Sequence, residues 1–429
     1  MSNSVYAPLR RELYQRVLDR VDLEALRALE PDGLRRELRR LTQRLLEESG
    51  LPFNSVERVQ VVTDIEHEVM GLGPLEPLLQ DPTVSDILVN GPERIWVERQ
   101  GRLQAAPVRF DDEPHLRRTI DRVVARVGRR IDEHSPMVDA RLADGSRFNA
   151  IIPPLALDGS AVSIRKFSPD ALALDRLVAL GTLTAEMGQL LQALVQAKLN
   201  VLVSGGTGSG KTTMLNLLSA AIAPHERVVT IEDAAELRLQ QPHVVRLETR
   251  PPNTEGAGEV TQRALVRNAL RMRPDRIILG EVRGAEAFDM LQAMNTGHEG
   301  SMATVHANSA RDALLRVENM VGMGPGGLPS RVARQLIASA VSVVLHLQRL
   351  SDGSRRMVSI SEVTGQEGDT LLMQDLHLFE ATGVDDQGRV RGHFRTTGVR
   401  PQLEPRLKAL GIELPTRSPP HITETTKPA

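Results

Sequence analysis

Residues 200–213 read NVLVSGGTGSGKTT. An apolar run of strand length, Asn200 to Ser204, leads into Gly205-Gly206-Thr207-Gly208-Ser209-Gly210-Lys211-Thr212, which satisfies G-x-x-x-x-G-K-[ST] in full. Thr213 then continues an apolar helical stretch that ends at Ile222. Strand, glycine-rich loop and helix in that order make a phosphate cradle. Glycines let the chain wrap an anion with backbone N–H groups, and a helix N-terminus adds partial positive charge. Lys211 has the reach for β and γ oxygens, and the Thr212 hydroxyl can ligate Mg2+. The expected nucleotide-binding residues are therefore Gly205, Gly206, Thr207, Gly208, Ser209, Gly210, Lys211, Thr212 and Thr213, with ATP and Mg2+ as the ligands.

Hydrolysis requires a carboxylate near the metal and a group that orients the attacking water. Two apolar runs downstream end in acids: Val228-Val229-Thr230-Ile231-Glu232-Asp233 and Ile277-Ile278-Leu279-Gly280-Glu281. Strand ends on one edge of a parallel sheet converge on the ligand crevice. Glu281 is read as the metal-side carboxylate, together with Thr212, and Glu232 as the water-orienting base; either acid alone also suits a helix cap. In Thr296-Gly297-His298-Glu299-Gly300-Ser301-Met302-Ala303-Thr304-Val305-His306-Ala307-Asn308, two histidines flank another short strand. A solvated loop is the default for His298, whereas His306 ends the strand, where it could bond phosphate or a carboxylate. Without HExxH spacing or cysteine the pair falls short of a zinc site. Gly322 to Gly327 contains GxGxxG, but no strand leads into it and Pro325 sits inside, so it reads as a loop.

The same reading extends outward to the whole chain. Its 429 residues suggest two or three domains, and 53 Lys+Arg against 55 Asp+Glu give a formal charge of −2. That balance, with aromatics at 2%, speaks against a nucleic-acid motor or coat. With no cysteine, disulfides, thiol catalysis and cysteine-held metal clusters are excluded, and a reducing compartment is compatible. The first residues carry charge but no apolar core, and no apolar run is long enough to span a bilayer, so the expectation is a cytoplasmic chain. Leu13, Val17, Leu34, Leu38, Leu41 and Leu45 recur at helical spacing, with Pro31-Asp32-Gly33 as punctuation. Short alternating runs at 86–89, 94–98, 140–149 and 162–165 then read as an α+β domain. The expected organisation is a helical appendage (1–52), an α+β domain (53–168), a linker (169–176), a parallel α/β domain (177–415) and a disordered tail (416–429).

These motifs together resemble the ATPases of type II secretion, type IV secretion and pilus assembly. The resemblance rests on GGTGSGKT, TIEDAAEL, IILGEVRG and TGHEGSMATVHAN, standing as Walker A loop, Asp box, Gly-Glu Walker B strand and His box. LPFNSVERVQVVTDIEHEVMGLGPLEPLLQDPTVSDILVNGPERIWVER and the ending LFEATGVDDQGRVRGHFRTTGVRPQLEPRLKALGIELP are similar to the CpaF-type branch, which assembles Flp/tight-adherence pili. The likeness covers about residues 50 to 415. It implies an α/β, RecA-like P-loop core and a ring of identical subunits, a hexamer, that works against inner-membrane pilus platform proteins from the cytoplasmic side. It assigns catalytic roles to Glu232, Glu281, His298 and His306, and lets arginines of the preceding domain reach the nucleotide: Arg141, Arg147 and Arg165. Absence of a four-cysteine module argues against the type II exporter branch. A conjugation or effector-export ATPase of the same superfamily is the alternative, and a non-hydrolysing scaffold a further one.

Overall fold

The computed structural model describes residues 12–14, 16, 17, 20, 31–49, 53–99, 101–167, 173–252, 256–324, 327–412 and 422–424. It divides into two compact units, Met1–Ser168 and Pro169–Ala429. No described helix is long and apolar enough to cross a membrane.

The first unit begins with helices Pro31–Glu48 and Ser55–Met70. Pro31, expected as a break, is the first helical residue, where its missing N–H forfeits no bond. The second helix starts on a capping box, with Asn54 and Glu57 each accepting the other's backbone N–H. Phe53, Val61, Val62 and Ile65 share one apolar cluster with Leu13, Val17, Leu38 and Leu45. These helices bury their apolar stripes on one another.

Six strands follow: β1 Val84–Asn90, β2 Ile95–Arg99, β3 Arg102–Ala105, β4 Met137–Arg141, β5 Arg147–Ile151 and β6 Ala161–Arg165. They form one sheet in the order β3-β2-β1-β6-β5-β4, antiparallel throughout. Alternation puts Ile87, Val97, Phe148 and Ile164 on the covered face, packed with Leu116, Ile120 and Val124 of helix Glu113–Arg126.

The second unit is built on ten strands: β7 Val201–Gly205, β8 Val228–Glu232, β9 Val244–Glu248, β10 Arg276–Val282, β11 Met302–His306, β12 Val343–Arg349, β13 Arg355–Glu367, β14 Thr370–Val384, β15 Val390–Thr396 and β16 Ile422–Glu424. Their order is β16-β15-β14-β13-β12-β7-β11-β10-β8-β9. From β12 to β9 every pair is parallel; from β12 to β16 every pair is antiparallel. This is the expected α/β, RecA-like core with an antiparallel extension on one side. Val201 and Val203 pack with Met187 and Leu191 of helix Ala185–Gln196 and with Met214 and Leu218 of helix Lys211–Ser219. Leu202 on the other face packs with Leu291, Leu314 and Ile337, from helices Glu286–Asn295, Ala310–Gly322 and Ser330–Ala340.

Four expectations change. Strands β9 and β12 escape the pattern because charged or polar residues, Arg246 in one and His346 in the other, interrupt their apolar runs. Within the expected linker 169–176, residues 169–172 lie outside the described residues, and helix Leu174–Ala179 begins before the linker was to end. Of the expected disordered tail, Ile422–Glu424 pairs with β15, and residues 416–421 and 425–429 lie outside the described residues. In the GxGxxG loop, Gly322 ends helix Ala310–Gly322, and residues 325 and 326 lie outside the described set.

Asn200 fastens the start of β7. Its amide donates to the carbonyls of Met294 (3.2 Å) and Ala340 (2.7 Å), and its Oδ1 accepts from the N–H groups of Gly300 (2.8 Å) and Ser301 (3.1 Å). One buried side chain satisfies backbone from three separate segments. Asn200→Ala should cost about 3 kcal/mol, since it strands several buried polar groups. Urea unfolding would measure it, and a loss below about 1 kcal/mol would contradict this role.

Candidate nucleotide site

β7 ends at Gly205, where the chain must turn hard against β12, its parallel neighbour in register Leu347 to Gly205. A Cβ on Gly205 would stand 2.5 Å from Ser209 Oγ and closer still to the Leu347 carbonyl, so no side chain fits. Gly210, at φ +100°, caps helix Lys211–Ser219 without a side-chain hydrogen bond. Gly210 has no side chain to cap the first-turn N–H groups, which suits a helix start that receives an anion. Lys211 Nζ donates to the carbonyls of Gly205 (3.0 Å) and Gly206 (2.9 Å), folding its charge onto the loop. The Ser209 hydroxyl is buried and has no hydrogen-bond partner among the described residues. Thr212 and Thr213 stand in the first turn of the helix, and Thr207 in the loop before it. A loop that only glycine can enter, a helix start with a glycine cap and a lysine bent across it fit a nucleotide phosphate.

On the other flank of β7 lie β11, β10 and β8, in that order. Glu232, the last residue of β8, is 3% exposed. Its Oε2 accepts from the N–H groups of Glu236 (2.7 Å) and Leu237 (2.9 Å), while Oε1 has no hydrogen-bond partner among the described residues. Burial pushes its carboxyl up to about 7, and the two N–H bonds only partly oppose this. The Gly-Glu form of the Walker B strand follows from this side chain. A Cβ on Gly280 would stand 2.8 Å from Glu232 Cγ, so glycine leaves the carboxylate room to cross β10.

Glu281 is more open. Its Oε2 takes Arg283 Nε (2.9 Å) and Nη2 (2.5 Å), and Arg283 Nη1 reaches Asp233 Oδ2 at 3.0 Å. One guanidinium thus joins the acids at the ends of β8 and β10. The Gly280 carbonyl accepts from Thr304 Oγ1 (2.6 Å) and the Glu281 carbonyl from Gln262 Nε2 (2.8 Å), which fix that strand end. Together with Thr212, Glu281 offers oxygen ligands suited to a Mg2+ that takes its others from phosphate and water.

His306 ends β11 directly opposite Gly205, at the loop. His298 does not join it. It precedes β11, at the other edge of the sheet, and its Nδ1 bonds the Pro274 carbonyl at 2.9 Å, just before β10 begins. A strand rises about 3.3 Å per residue, so a five-residue strand sets the two histidines at opposite ends.

Arg141, Arg147 and Arg165 belong to the first unit, where they form a row: Arg141 is opposite Arg147, and Arg147 opposite Arg165, on three adjacent strands. Arg165 Nε meets Asp86 Oδ1 at 3.1 Å, and Arg141 Nε donates to the Gly145 carbonyl at 3.4 Å. Nearby, Asp144 accepts from the Ser146 N–H and hydroxyl, and Asp139 from the Asn149 amide.

Sequence reading missed Arg283, although it stands two residues past Glu281, just beyond the end of β10. It also missed Arg355, whose Nε donates to the Gly208 carbonyl at 2.8 Å from 147 residues away. No local pattern carries that contact.

The raised carboxyl has a consequence for stability. In the unfolded chain Glu232 titrates near 4.5, and in the folded one near 7, so the folded protein holds the extra proton between those values. Stability should then fall as pH climbs from about 4.5 to about 7 and level off above, by on the order of 3 kcal/mol. Glu232→Gln should remove that slope; denaturation of both proteins from pH 5 to 8 tests it, and parallel curves would refute it.

Comparison with known proteins bears on the whole arrangement. Residues 68–397 match the family model of the type II/IV secretion system protein. A Mycobacterium tuberculosis (strain H37Rv) protein provisionally assigned to conjugal transfer is 43% identical over 310 residues, covering 71% of this chain and 88% of its own. The type IV secretion system protein PtlH of Bordetella pertussis is 37% identical over 317 residues, covering 67% of this chain and 92% of its own. The crystal structure of the VirB11 ATPase from the Brucella suis type IV secretion system is 31% identical, covers 67% of this chain and 95% of its own, and has a TM-score of 0.37. With residues 68–397 matched by that family model, the chain belongs to the type II/IV secretion system protein family.

Proposed function

We propose that this chain is an ATPase that powers a type IV secretion machine at the inner membrane, acting as a ring of identical subunits. The observation that carries the ATPase reading is Glu232: a buried carboxyl poised about 7, one oxygen held by two N–H groups and the other without a hydrogen-bond partner among the described residues, on the sheet edge that holds Lys211. A base with that value can take a proton near neutral pH. Lys211 and the loop N–H groups bind the β- and γ-phosphates, and Thr212 and Glu281 hold Mg2+, which supplies charge neutralisation on the phosphates when bound. Glu232 Oε1 accepts the proton of the water that attacks the γ-phosphorus as the bond to the β-phosphate oxygen breaks. His306 hydrogen-bonds the terminal phosphate. Arg283 releases Glu281 in exchange for Asp233 alone when the carboxylate turns to its ligand.

The arginine row supports a further part of this reading. Arg141, Arg147 and Arg165 stand side by side on three adjacent strands, which gathers three guanidinium groups in one row. In the ring they serve the nucleotide of the same or of a neighbouring subunit, and guanidinium forks match phosphate geometry. The conjugal-transfer and type IV secretion relatives move the export reading away from Flp pilus assembly, which rests on the resemblance of residues 51–99 and of the chain's ending.

Lys211→Ala should abolish nucleotide binding and phosphate release together. Glu232→Gln and Glu281→Gln should bind ATP and lose on the order of 10²-fold in kcat; turnover near wild type in either would make that glutamate structural. Arg147→Ala and Arg165→Ala should slow turnover more than they weaken ATP binding. Activity regained by mixing Arg165→Ala with Lys211→Ala subunits would indicate supply from a neighbour. In cells, Lys211→Ala should block DNA or effector export while Flp fibres persist; loss of fibres with export intact would return the assignment to pilus assembly.

A further inference from the structure

The loop of residues 205–212 has two flanks, and the catalytic reading uses only one. Glu232, Glu281 and His306 come from β8, β10 and β11, on one side of β7. On the other side is β12, which is level with Gly205 at Leu347 and runs two residues further, to Arg349. The chain then turns and returns as β13, with Arg355 directly opposite Arg349. The turn is braced: Asp352 accepts from the Ser354 N–H and hydroxyl through Oδ1 and from the Val390 N–H through Oδ2.

Alternation decides where both arginines point. Leu345 and Leu347 pack with Met214 and Leu218 of the helix that follows the phosphate loop, so Arg349, two residues on, shares the face of that helix. Arg355, its cross-strand partner, shares it too. Their positions agree. Arg349 Nη1 lies 3.4 Å from where a Cβ on Gly208 would stand, and Arg355 Cδ 3.6 Å from that of Gly210. Arg355 Nε donates to the Gly208 carbonyl at 2.8 Å. Two guanidiniums, from a braced hairpin, flank one turn of the phosphate loop.

We infer that Arg349 and Arg355 form a clamp for the α-phosphate end of the nucleotide, with Arg355 also holding the loop in shape through Gly208. The inference rests on the nucleotide reading above and adds a polarity to it. The terminal phosphate belongs with Thr212, Glu281 and Glu232, on the β10 and β8 side. The other end of a triphosphate then extends towards β12, where it meets the hairpin. A group that touches the α-phosphate end contacts ATP and ADP alike and gains nothing in the transition state. Its loss is uniform binding, which raises KM rather than lowering kcat.

The test is titration of the full chain with a fluorescent ADP and by calorimetry with MgATP, using Arg349→Ala, Arg355→Ala, the double variant and the two lysine replacements. Each alanine should weaken ADP and ATP by the same factor, about tenfold, the scale of a charge-assisted hydrogen bond, with the loss in turnover falling on KM. The salt dependence of ADP binding should flatten in the double variant. Arg349→Lys should restore more than Arg355→Lys, because a point charge replaces a phosphate contact better than a fork that also holds a carbonyl. Both side chains lie at the surface or half-buried, and a thermal melt confirms folding. ADP affinity of the double variant within twofold of wild type, or a loss confined to kcat, would overturn the clamp. Failure of the wild-type chain to bind ADP or ATP would overturn the nucleotide reading itself, and the clamp with it.

Discussion

The site depends on the confinement of β7. Both its faces are buried, Val201 and Val203 in one core and Leu202 in the other, and both its edges are paired, to β11 and β12. Such a strand has no freedom to shift, so its end is a fixed point in the unit. The phosphate loop leaves from that point against the Leu347 carbonyl, where only glycine can pass. Asn200 fixes the other end of the strand to three separate segments. A loop that must present N–H groups to a polyanion within hydrogen-bond tolerance needs such an anchor, because an anion site is as accurate as the backbone carrying it.

Around that anchor two glutamates of the same chemical type occupy opposite electrostatic conditions. Glu232 is desolvated and holds its proton to about 7. Glu281 is partly open and takes the guanidinium of Arg283. The difference follows from location: Glu232 crosses over Gly280 into the sheet edge, and Glu281 faces outward beside a cation. Gly280 links the two, since it is both the residue before Glu281 and the gap through which Glu232 extends.

The antiparallel extension, β13 to β16, adds more than sheet width. It makes the β12–β13 hairpin possible, and so sets Arg355 opposite Arg349 at one flank of the loop. In the first unit the row of Arg141, Arg147 and Arg165 arises in the same manner, from antiparallel register rather than from nearness in the chain.

By itself the sequence determined the elements whose causes are local. The phosphate loop, its flanking strand and helix, and the acids closing two apolar runs all lie within windows of about a dozen residues, where periodicity and glycine placement decide conformation. The parallel α/β class followed from those runs, as did the helical start of the chain. Only the tertiary structure decided which strand ends meet. The lateral order of parallel strands is set by how crossover helices bury their faces, which no single window contains. Hence His298 and His306, alike in the sequence, part to opposite edges, while Arg355 comes to Gly208 from 147 residues away. The role of Gly280 was equally hidden, for a glycine needed to make room for a side chain on another strand looks, in one dimension, like any glycine.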